Sequence, residues 1–249
     1  MPRPDKPVAR WVDEGATTAP TTRRAAGPQP RTVARITVDD LDPRVQREVR
    51  GRHGAARAPR VLARLAQVAQ HFEAHRYAQA RTAVLAHLRE LEGISLAHEI
   101  LGLSSYRVGR WAEALRHLET ARALRPGDPS VLVVIADCHR ALGRHGEVER
   151  LWAQVREASP PPWILAEGRM TMAGSLADRG ELAAAIRVMT HGTRDPRRVR
   201  EHHLREWYVL ADLYDRAGEV ATARRLFAKI LGEDPRFADA ADRLAALGR

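Results

Sequence analysis

The chain has 249 residues, enough for one or two domains with a sizeable core. Apolar residues make up 44% of it and aromatic residues only 5%, a balance typical of helical arrays that pack on Ala and Leu. Its 41 Lys and Arg against 31 Asp and Glu give a net charge of +10, and nearly all of the basic residues are Arg. A GC-rich genome would also favour arginine, so the excess alone does not predict individual contacts.

Three features of the chain limit its compartment. Residues 1–30 contain no apolar stretch of the kind found in secretory signals. No apolar run approaches the roughly 20 residues that a membrane-spanning helix needs. Cys138 is the only cysteine, so an intrachain disulfide is excluded. We therefore expect a cytoplasmic protein without a membrane partner.

The first segment, residues 1–38, is predicted to be a disordered basic tail. It is rich in Pro, Thr, Ala and Arg and has no sustained apolar period, so it cannot bury enough surface to offset its ordering entropy. It carries seven basic and three acidic residues. It is either a solubilising tail or an arm for an acidic partner such as nucleic acid. Trp11 could anchor this segment in a groove.

Residues 39–60 are predicted to form a lead-in helix and a basic linker. Asp42 is a suitable N-cap and Pro43 suits the first turn, so a helix is expected from Pro43 to Arg50. Gly51 and Gly54 are expected to end it. The basic residues of the linker are Arg50, Arg52, His53, Arg57 and Arg60. They could bind phosphate, or they could form an ordinary solvated surface.

A helix-turn-helix pattern recurs from residue 61 onward. Glycine marks the turn at positions 109, 143, 180 and 218, and His75 takes its place in the first unit. The units are residues 61–94, 95–128, 129–165, 166–203 and 204–236, followed by an Ala/Leu-rich cap at 237–249. The first three units start 34 residues apart. Extra residues interrupt the later junctions around 159–162 and 197–200, and the prolines at 160–162 are expected to hold the chain extended.

The fifth unit has the clearest pattern of large and small residues. Its first helix carries Trp207, Leu210, Ala211 and Tyr214 on one face, and its second helix carries Ala223 and Phe227, followed by Pro235. This resembles the tetratricopeptide repeat (TPR), with Ala in place of one Gly. The resemblance implies an all-α fold, a right-handed solenoid of about five TPR helix-turn-helix repeats with a C-terminal capping helix and a disordered N-terminal tail.

The overall layout is similar to that of a group of small actinobacterial TPR proteins. These proteins have an Arg/Pro-rich tail, about five repeats and a leading helix with the pattern seen here from Leu41 to Val49. The resemblance predicts a bacterial source and implies no established activity.

The TPR resemblance also implies a concave groove lined by the first helix of each repeat. The predicted partner-binding residues in this groove are Phe72, Leu103, Tyr106, Arg107, Val133, Asp137, Arg140, Tyr208, Asp212 and Asp215. Its N-terminal half is apolar and its C-terminal half acidic, where Glu167 adds to the aspartates. This combination would suit a basic helix or peptide, including the chain's own tail. Alternatively, the apolar half packs against the lead-in helix.

The sequence offers little for catalysis or for a cofactor. It has no phosphate-binding glycine loop and no cysteine pair for zinc. His71 and His75 are four residues apart but lack the acidic residue that would follow the first histidine in a zinc-protease motif. Cys138 has no neighbouring base to activate it. We therefore expect no enzyme activity, no cofactor and no metal site.

Three functional hypotheses follow. The first is a scaffold or adaptor that binds a protein or peptide partner in the groove. The second is a nucleic-acid or ribosome-associated protein that uses its Arg-rich N-terminal arm, whose binding would weaken with salt. The third is autoinhibition, in which the tail occupies the acidic half of the groove.

Overall fold

The computed structural model describes residues 33–126, 129–191 and 196–248, and within these ranges all regular structure is helical. After a short 3-10 turn at Val38–Asp40, the helices are α1 Pro43–Glu73, α2 Tyr77–Ala86, α3 Leu88–Leu91, α4 Ser95–Arg107, α5 Trp111–Leu124, α6 Pro129–Ala141, α7 His145–Glu157, α8 Pro162–Asp178, α9 Leu182–Thr190, α10 Glu201–Arg216, α11 Val220–Glu233 and α12 Ala240–Ala246. The predicted all-α class with a C-terminal cap is confirmed. The disordered tail was predicted over residues 1–38, and for residues 1–32, outside the described residues, it stays a prediction. Within residues 33–38, Ile36 N donates to Gln70 Oε1 of α1 at 2.6 Å, and Val38 begins the 3-10 turn.

The helices belong to two compact units. The N-terminal unit contains α1 to α6 and ends at Leu142, and the C-terminal unit begins at Gly143 and contains α7 to α12. Fully buried large side chains of the N-terminal unit include Leu65, Leu101, Leu118 and Ile135. One cluster of the C-terminal unit centres on Ala173, Met189 and Leu213, and another on Trp207, Ala211, Ala223 and Phe227. Burial of the two alanines fits the predicted close approach of α10 and α11.

The turn between the two helices of each repeat has one backbone conformation throughout. Positive φ angles occur at His75 (57°), Gly109 (76°), Gly143 (70°), Gly180 (81°) and Gly218 (79°). At Gly218 the turn closes with two backbone hydrogen bonds, from Gly218 N to Asp215 O at 2.9 Å and from Glu219 N to Tyr214 O at 2.8 Å. This is the Schellman pattern of helix termination. These turns lie at the five positions expected from the sequence, with histidine in place of glycine at residue 75.

The first helices of the last two repeats are longer than the sequence predicts. The helices α4 and α6 each have 13 residues and start where their repeats were predicted to start. By contrast, α8 has 17 residues and begins at Pro162, and α10 has 16 and begins at Glu201. The expectation that Pro162 would be extended is wrong. It occupies the first helical position, where the missing N–H removes no helical hydrogen bond.

The lead-in helix is also longer than predicted. It does not end at Arg50, because α1 runs through Gly51 and joins the first helix of repeat one. Only Gly54, with φ 68° and ψ 172°, leaves the helical conformation and produces a kink. The apolar face continues on both sides of the kink, with Val49 and Ala58 buried, so packing favours the helix over a free linker.

A single carboxylate joins this leading part of α1 to the second repeat. Glu48 accepts hydrogen bonds from Ser95 N at 2.8 Å and from Ser95 Oγ at 2.9 Å. Because Ser95 is the first residue of α4, the carboxylate satisfies an unpaired N–H and opposes the positive end of the helix dipole. The lead-in segment is therefore attached to the repeats by a polar contact as well as by its apolar face.

The turn conformation predicts opposite effects for two alanine substitutions in the fifth repeat. A Cβ added at Gly218 or at Gly232 would meet no atom within 4 Å, so the two sites differ mainly in backbone conformation. Gly218→Ala should destabilise the chain by about 1–2 kcal/mol because alanine resists positive φ. Gly232→Ala, inside α11, should instead stabilise it by about 0.5–1 kcal/mol. Urea unfolding followed by circular dichroism measures both, and equal effects at the two positions would contradict this explanation.

Candidate functional site

The predicted groove residues fall into two groups, seven in the N-terminal unit and three in the C-terminal unit. In the N-terminal unit Phe72 is on α1, Leu103, Tyr106 and Arg107 are on α4, and Val133, Asp137 and Arg140 are on α6. The side chains of Phe72, Leu103, Tyr106, Val133 and Asp137 are buried. Arg107 and Arg140 are half-buried. A partner that approaches this part of the unit would therefore meet the two arginines before the apolar side chains.

Three of these residues form a short polar chain. The Tyr106 hydroxyl donates to Asp137 Oδ2 at 2.5 Å, and Arg140 Nε donates to Asp137 Oδ1 at 2.7 Å. The carboxylate is only 5% exposed, so these donors offset its loss of water. The Tyr106 ring also packs edge-on against Trp111, with ring centroids 5.3 Å apart. The tyrosine and the aspartate thus fix the position of the Arg140 guanidinium.

Arg107 lies beside a group of aromatic side chains at the first turn. Its guanidinium carbon is 5.7 Å from the centroid of the Tyr77 ring. The same ring packs against Phe72 at 5.4 Å and stacks with His75 at 5.6 Å. A stacked arginine keeps its charge while it covers apolar surface, a combination that recurs at protein interfaces.

The three predicted residues of the C-terminal unit contact the capping helix or Asp239, the residue before it. Arg243 Nη2 of α12 donates to Asp212 Oδ1 at 2.8 Å and to Asp215 Oδ2 at 3.0 Å. The hydroxyl of Tyr208 donates to Asp239 Oδ1 at 2.5 Å. Burial, and then the bond to Asp239, raise the pKa of the Tyr208 hydroxyl. Arg243 thus occupies one oxygen of each of these two carboxylates.

Two further ion pairs join the first helices of repeats four and five. Arg205 Nη1 donates to Glu167 Oε1 at 2.7 Å, and Arg169 pairs with Glu206. Both glutamates are buried. Burial raises the pKa of Glu206, although Arg169 opposes the shift. The acidic character expected of this part of the groove is therefore offset by arginines of the same unit.

The arginine partners could have been found from their spacing in the sequence. Glu167 and Arg205 are 38 residues apart, Arg169 and Glu206 are 37 apart, and Asp212 and Arg243 are 31 apart. Because each separation is close to one repeat length, opposite charges at that distance occupy adjacent helices. Charges considered one at a time do not reveal this pairing.

A histidine pair in the second repeat was also missed. The Nδ1 atoms of His98 and His117 are 3.1 Å apart, so one Nδ1–H can donate to the other nitrogen. Burial lowers the pKa of both side chains, and for His117 the neighbouring His98 lowers it further. Adding a proton to the accepting nitrogen would break the hydrogen bond and place two cations side by side.

Over the residues that the structure describes, no group of three or more His, Cys, Asp or Glu is placed to hold a metal ion. Cys138 is fully buried on α6, and burial raises the pKa of its thiol, which therefore stays protonated near neutral pH. Within the same ranges, no helix combines the length and the apolar character needed to cross a membrane.

The histidine pair predicts a loss of stability on mild acidification. The folded pKa values lie below the unfolded value, so the unfolded chain binds more protons as the pH falls through about 6.5. Stability should thus be greatest above that pH and decrease below it. His117→Gln should reduce this decrease, whereas His191→Gln, at an exposed position, should leave it unchanged. Urea midpoints at several pH values test this, and identical pH profiles for both variants would contradict it.

Known proteins support the repeat architecture. Residues 106–163 match the family model described as tetratricopeptide repeat. A search of curated proteins found no match. Among solved structures, the chain is similar to TTC0263, a thermophilic TPR protein in Thermus thermophilus, with 21% identity and a TM-score of 0.58. That match covers 74% of this chain and 96% of the Thermus chain.

At this identity the likeness concerns the fold alone, and the similarity to actinobacterial proteins stays a prediction. The five turns at repeat spacing, the matched segment 106–163 and the similarity to a TPR structure agree with one another. The recognition made from the sequence is confirmed: residues 106–163 match the tetratricopeptide repeat model, and the chain is similar in fold to a TPR protein.

Proposed function

We propose that the chain is a non-enzymatic interaction scaffold that binds a segment of a partner protein on the first helices of its repeats. Repeat proteins of this kind use the surface formed by successive units for binding. The observation that carries the proposal is the position of Arg140, which a buried carboxylate and a buried tyrosine hold in place. Arginine and tyrosine are common at the energetic centres of interfaces, and a preorganised side chain loses less entropy on binding.

Arg107 extends the proposed contact surface of the N-terminal unit. It follows Tyr106 directly at the end of α4, and its guanidinium lies by the Tyr77 ring. Two half-buried arginines beside aromatic side chains would suit a partner segment that presents carbonyl or carboxylate oxygens. The internal pairing of Asp137, Asp212 and Asp215 with arginines gives less support to a strongly basic partner.

The remaining groove residues have supporting parts in this proposal. Phe72, Leu103 and Val133 are buried beneath the contact surface, where they would hold the helices that carry the arginines. Tyr208, Asp212 and Asp215 would join the interface if a partner displaced α12. The second hypothesis, an Arg-rich N-terminal arm that binds nucleic acid or the ribosome, rests largely on residues 1–32, outside the described residues, and stays a prediction.

The proposal includes a cytoplasmic location. Cell fractionation of the source organism, with a cytoplasmic enzyme and a membrane protein as markers, would test it. Recovery with the membrane marker after a high-salt wash would contradict this part.

Photocrosslinking in living cells tests the contact surface before the partner has been identified. A photoreactive phenylalanine derivative in place of Arg107 should capture a discrete protein partner. The same derivative in place of Arg116, which is exposed on the second helix α5, is the matched control. Capture of the same proteins from both positions, or of none from Arg107, would contradict the proposal.

Binding measurements with the captured partner then test the role of the polar chain. Arg140→Gln should weaken the Kd about tenfold or more, equivalent to at least ~1.4 kcal/mol, as expected of a central interface arginine. Arg116→Gln should have little effect. Unfolding curves for both variants separate loss of binding from loss of fold, and an unchanged Kd for a folded Arg140→Gln variant would refute the assigned role.

A further inference from the structure

The outer surface of the leading part of α1 carries a cluster of exposed arginines. Between residues 43 and 60 the chain has six arginines and one acidic residue. All six are exposed: Arg44, Arg47, Arg50, Arg52, Arg57 and Arg60. The acidic residue, Glu48, points to a different task, since both of its oxygens accept hydrogen bonds from Ser95. The leading part of α1 thus carries six exposed arginines against one carboxylate, and that carboxylate is bound to Ser95.

These arginines differ from those between the helices of the repeats. Arg81, Arg125 and Arg205 each pair with a glutamate of a neighbouring helix. In the part of the chain that the structure describes, none of the six exposed arginines of α1 has a carboxylate within ion-pair distance. Six like charges on about five helical turns repel one another, and a polyanion would relieve that repulsion.

The side chains that accompany these arginines favour one class of polyanion over others. The exposed large apolar side chains of the described residues are Leu85, Val108, Leu124 and Val220, and none of them is on α1. A helix that inserts into a membrane surface would need such side chains beside its basic face. Residues 43–60 contain no Phe, Trp or Tyr on which a base could stack. The surface is therefore suited to phosphates and lacks groups for reading a base sequence.

The fold holds this cluster in one arrangement. Val45 and Val49 bury the inner face of the first segment of α1, and Glu48 attaches it to the start of α4. After the kink at Gly54, Ala58 and Val61 bury the inner face of the second segment. The arginines on the outer faces are thus displayed on packed helix, which keeps them spaced for several phosphates at once.

We propose that the exposed arginines of α1 form a sequence-independent site for the phosphate backbone of nucleic acid. This site is separate from the contact surface for a protein partner, because it uses α1 residues 44–60 and neither Arg107 nor Arg140. The Arg-rich tail is not required for it. It gives the chain a second type of partner, which the repeats alone would not bind.

Fluorescence anisotropy with the full chain tests the proposal. The probes are a labelled DNA duplex of about 20 base pairs and a labelled single-stranded RNA of similar length, at salt concentrations from about 50 to 200 mM. Both should bind, with affinities in the micromolar range typical of contacts without sequence preference. Replacing Arg47, Arg50, Arg57 and Arg60 by Gln should weaken binding at least tenfold. It should also lower the slope of log affinity against log salt, by about 0.9 for each duplex phosphate that is no longer neutralised.

Two full-length controls carry the same loss of four charges. One replaces Arg116, Arg144, Arg187 and Arg225, which are exposed outside α1, by Gln. The other replaces Arg10, Arg23, Arg24 and Arg31 of the tail by Gln. Each should change the affinity less than threefold, a limit expected from screened distant charges. The double variants Arg47→Gln/Arg50→Gln and Arg57→Gln/Arg60→Gln should have intermediate affinities, and melting curves verify that every variant is folded.

The alternatives give different outcomes. Equal weakening by the α1 variant and the exposed-arginine control would mean that net charge alone drives binding, and weakening by the tail variant alone would assign binding to the tail. Polyglutamate and unlabelled duplex are compared as competitors for the labelled probe at equal total charge. If polyglutamate competes as effectively as duplex, the partner is an acidic protein. Vesicles of phosphatidylserine and phosphatidylcholine are tested in the same way. If the chain binds these vesicles and DNA does not displace it from them, the partner is a membrane surface. Each of these results, or no binding to either probe, overturns the proposal.

Discussion

The repeat architecture depends on one backbone conformation that occurs five times. At each turn a single residue adopts positive φ, between the end of the first helix and the start of the second. Glycine adopts this conformation at little cost, and the four glycine turns use that property. His75 is the exception, and its ring stacks on Tyr77. Aromatic contact at the first turn thus accompanies a backbone conformation that histidine would otherwise avoid.

Ion pairs at repeat spacing add a second constraint in the C-terminal unit. A buried ion pair contributes little net stability, but breaking one leaves a charge without a partner and costs about 3–5 kcal/mol. The two pairs run in opposite senses between α8 and α10. Glu167 of α8 pairs with Arg205 of α10, and Arg169 of α8 pairs with Glu206 of α10. A shift of one helix along the other would separate both pairs together. These pairs therefore favour one alignment of α8 and α10 over its neighbours.

Much of the fold could be predicted because its signals are local. The turn residues and the helical periodicity determine the repeat register, and α4 and α6 begin at the predicted residues Ser95 and Pro129. The continuation of α1 through Gly51 could not be predicted in this way. Glycine weakens a helix by about 0.5–1 kcal/mol, and only the buried face on both sides of the kink reveals what offsets that cost.

The sequence predicted which helices carry the candidate site residues but not how exposed their side chains are. Repeat position places Tyr106 and Asp137 on first helices, as expected, yet both are buried. Burial depends on how each helix is rotated and on what lies over it, and a repeat pattern does not contain that information. The role of Arg243 was also not predicted: an Ala/Leu-rich cap was expected, and its arginine binds the carboxylates of Asp212 and Asp215 as well.

The fully buried Cys138 allows opening of the N-terminal unit to be measured by thiol labelling. As the only thiol of the chain, it can react with a disulfide reagent only when the packing around α6 opens. The rate of labelling under native conditions therefore measures the free energy of that opening, whether local or global. In a variant that retains Trp207 as the only one of its five tryptophans, fluorescence of this residue in the core of the C-terminal unit would follow the other unit in the same sample. A difference between the two rates would reveal whether the repeats unfold together or one unit at a time.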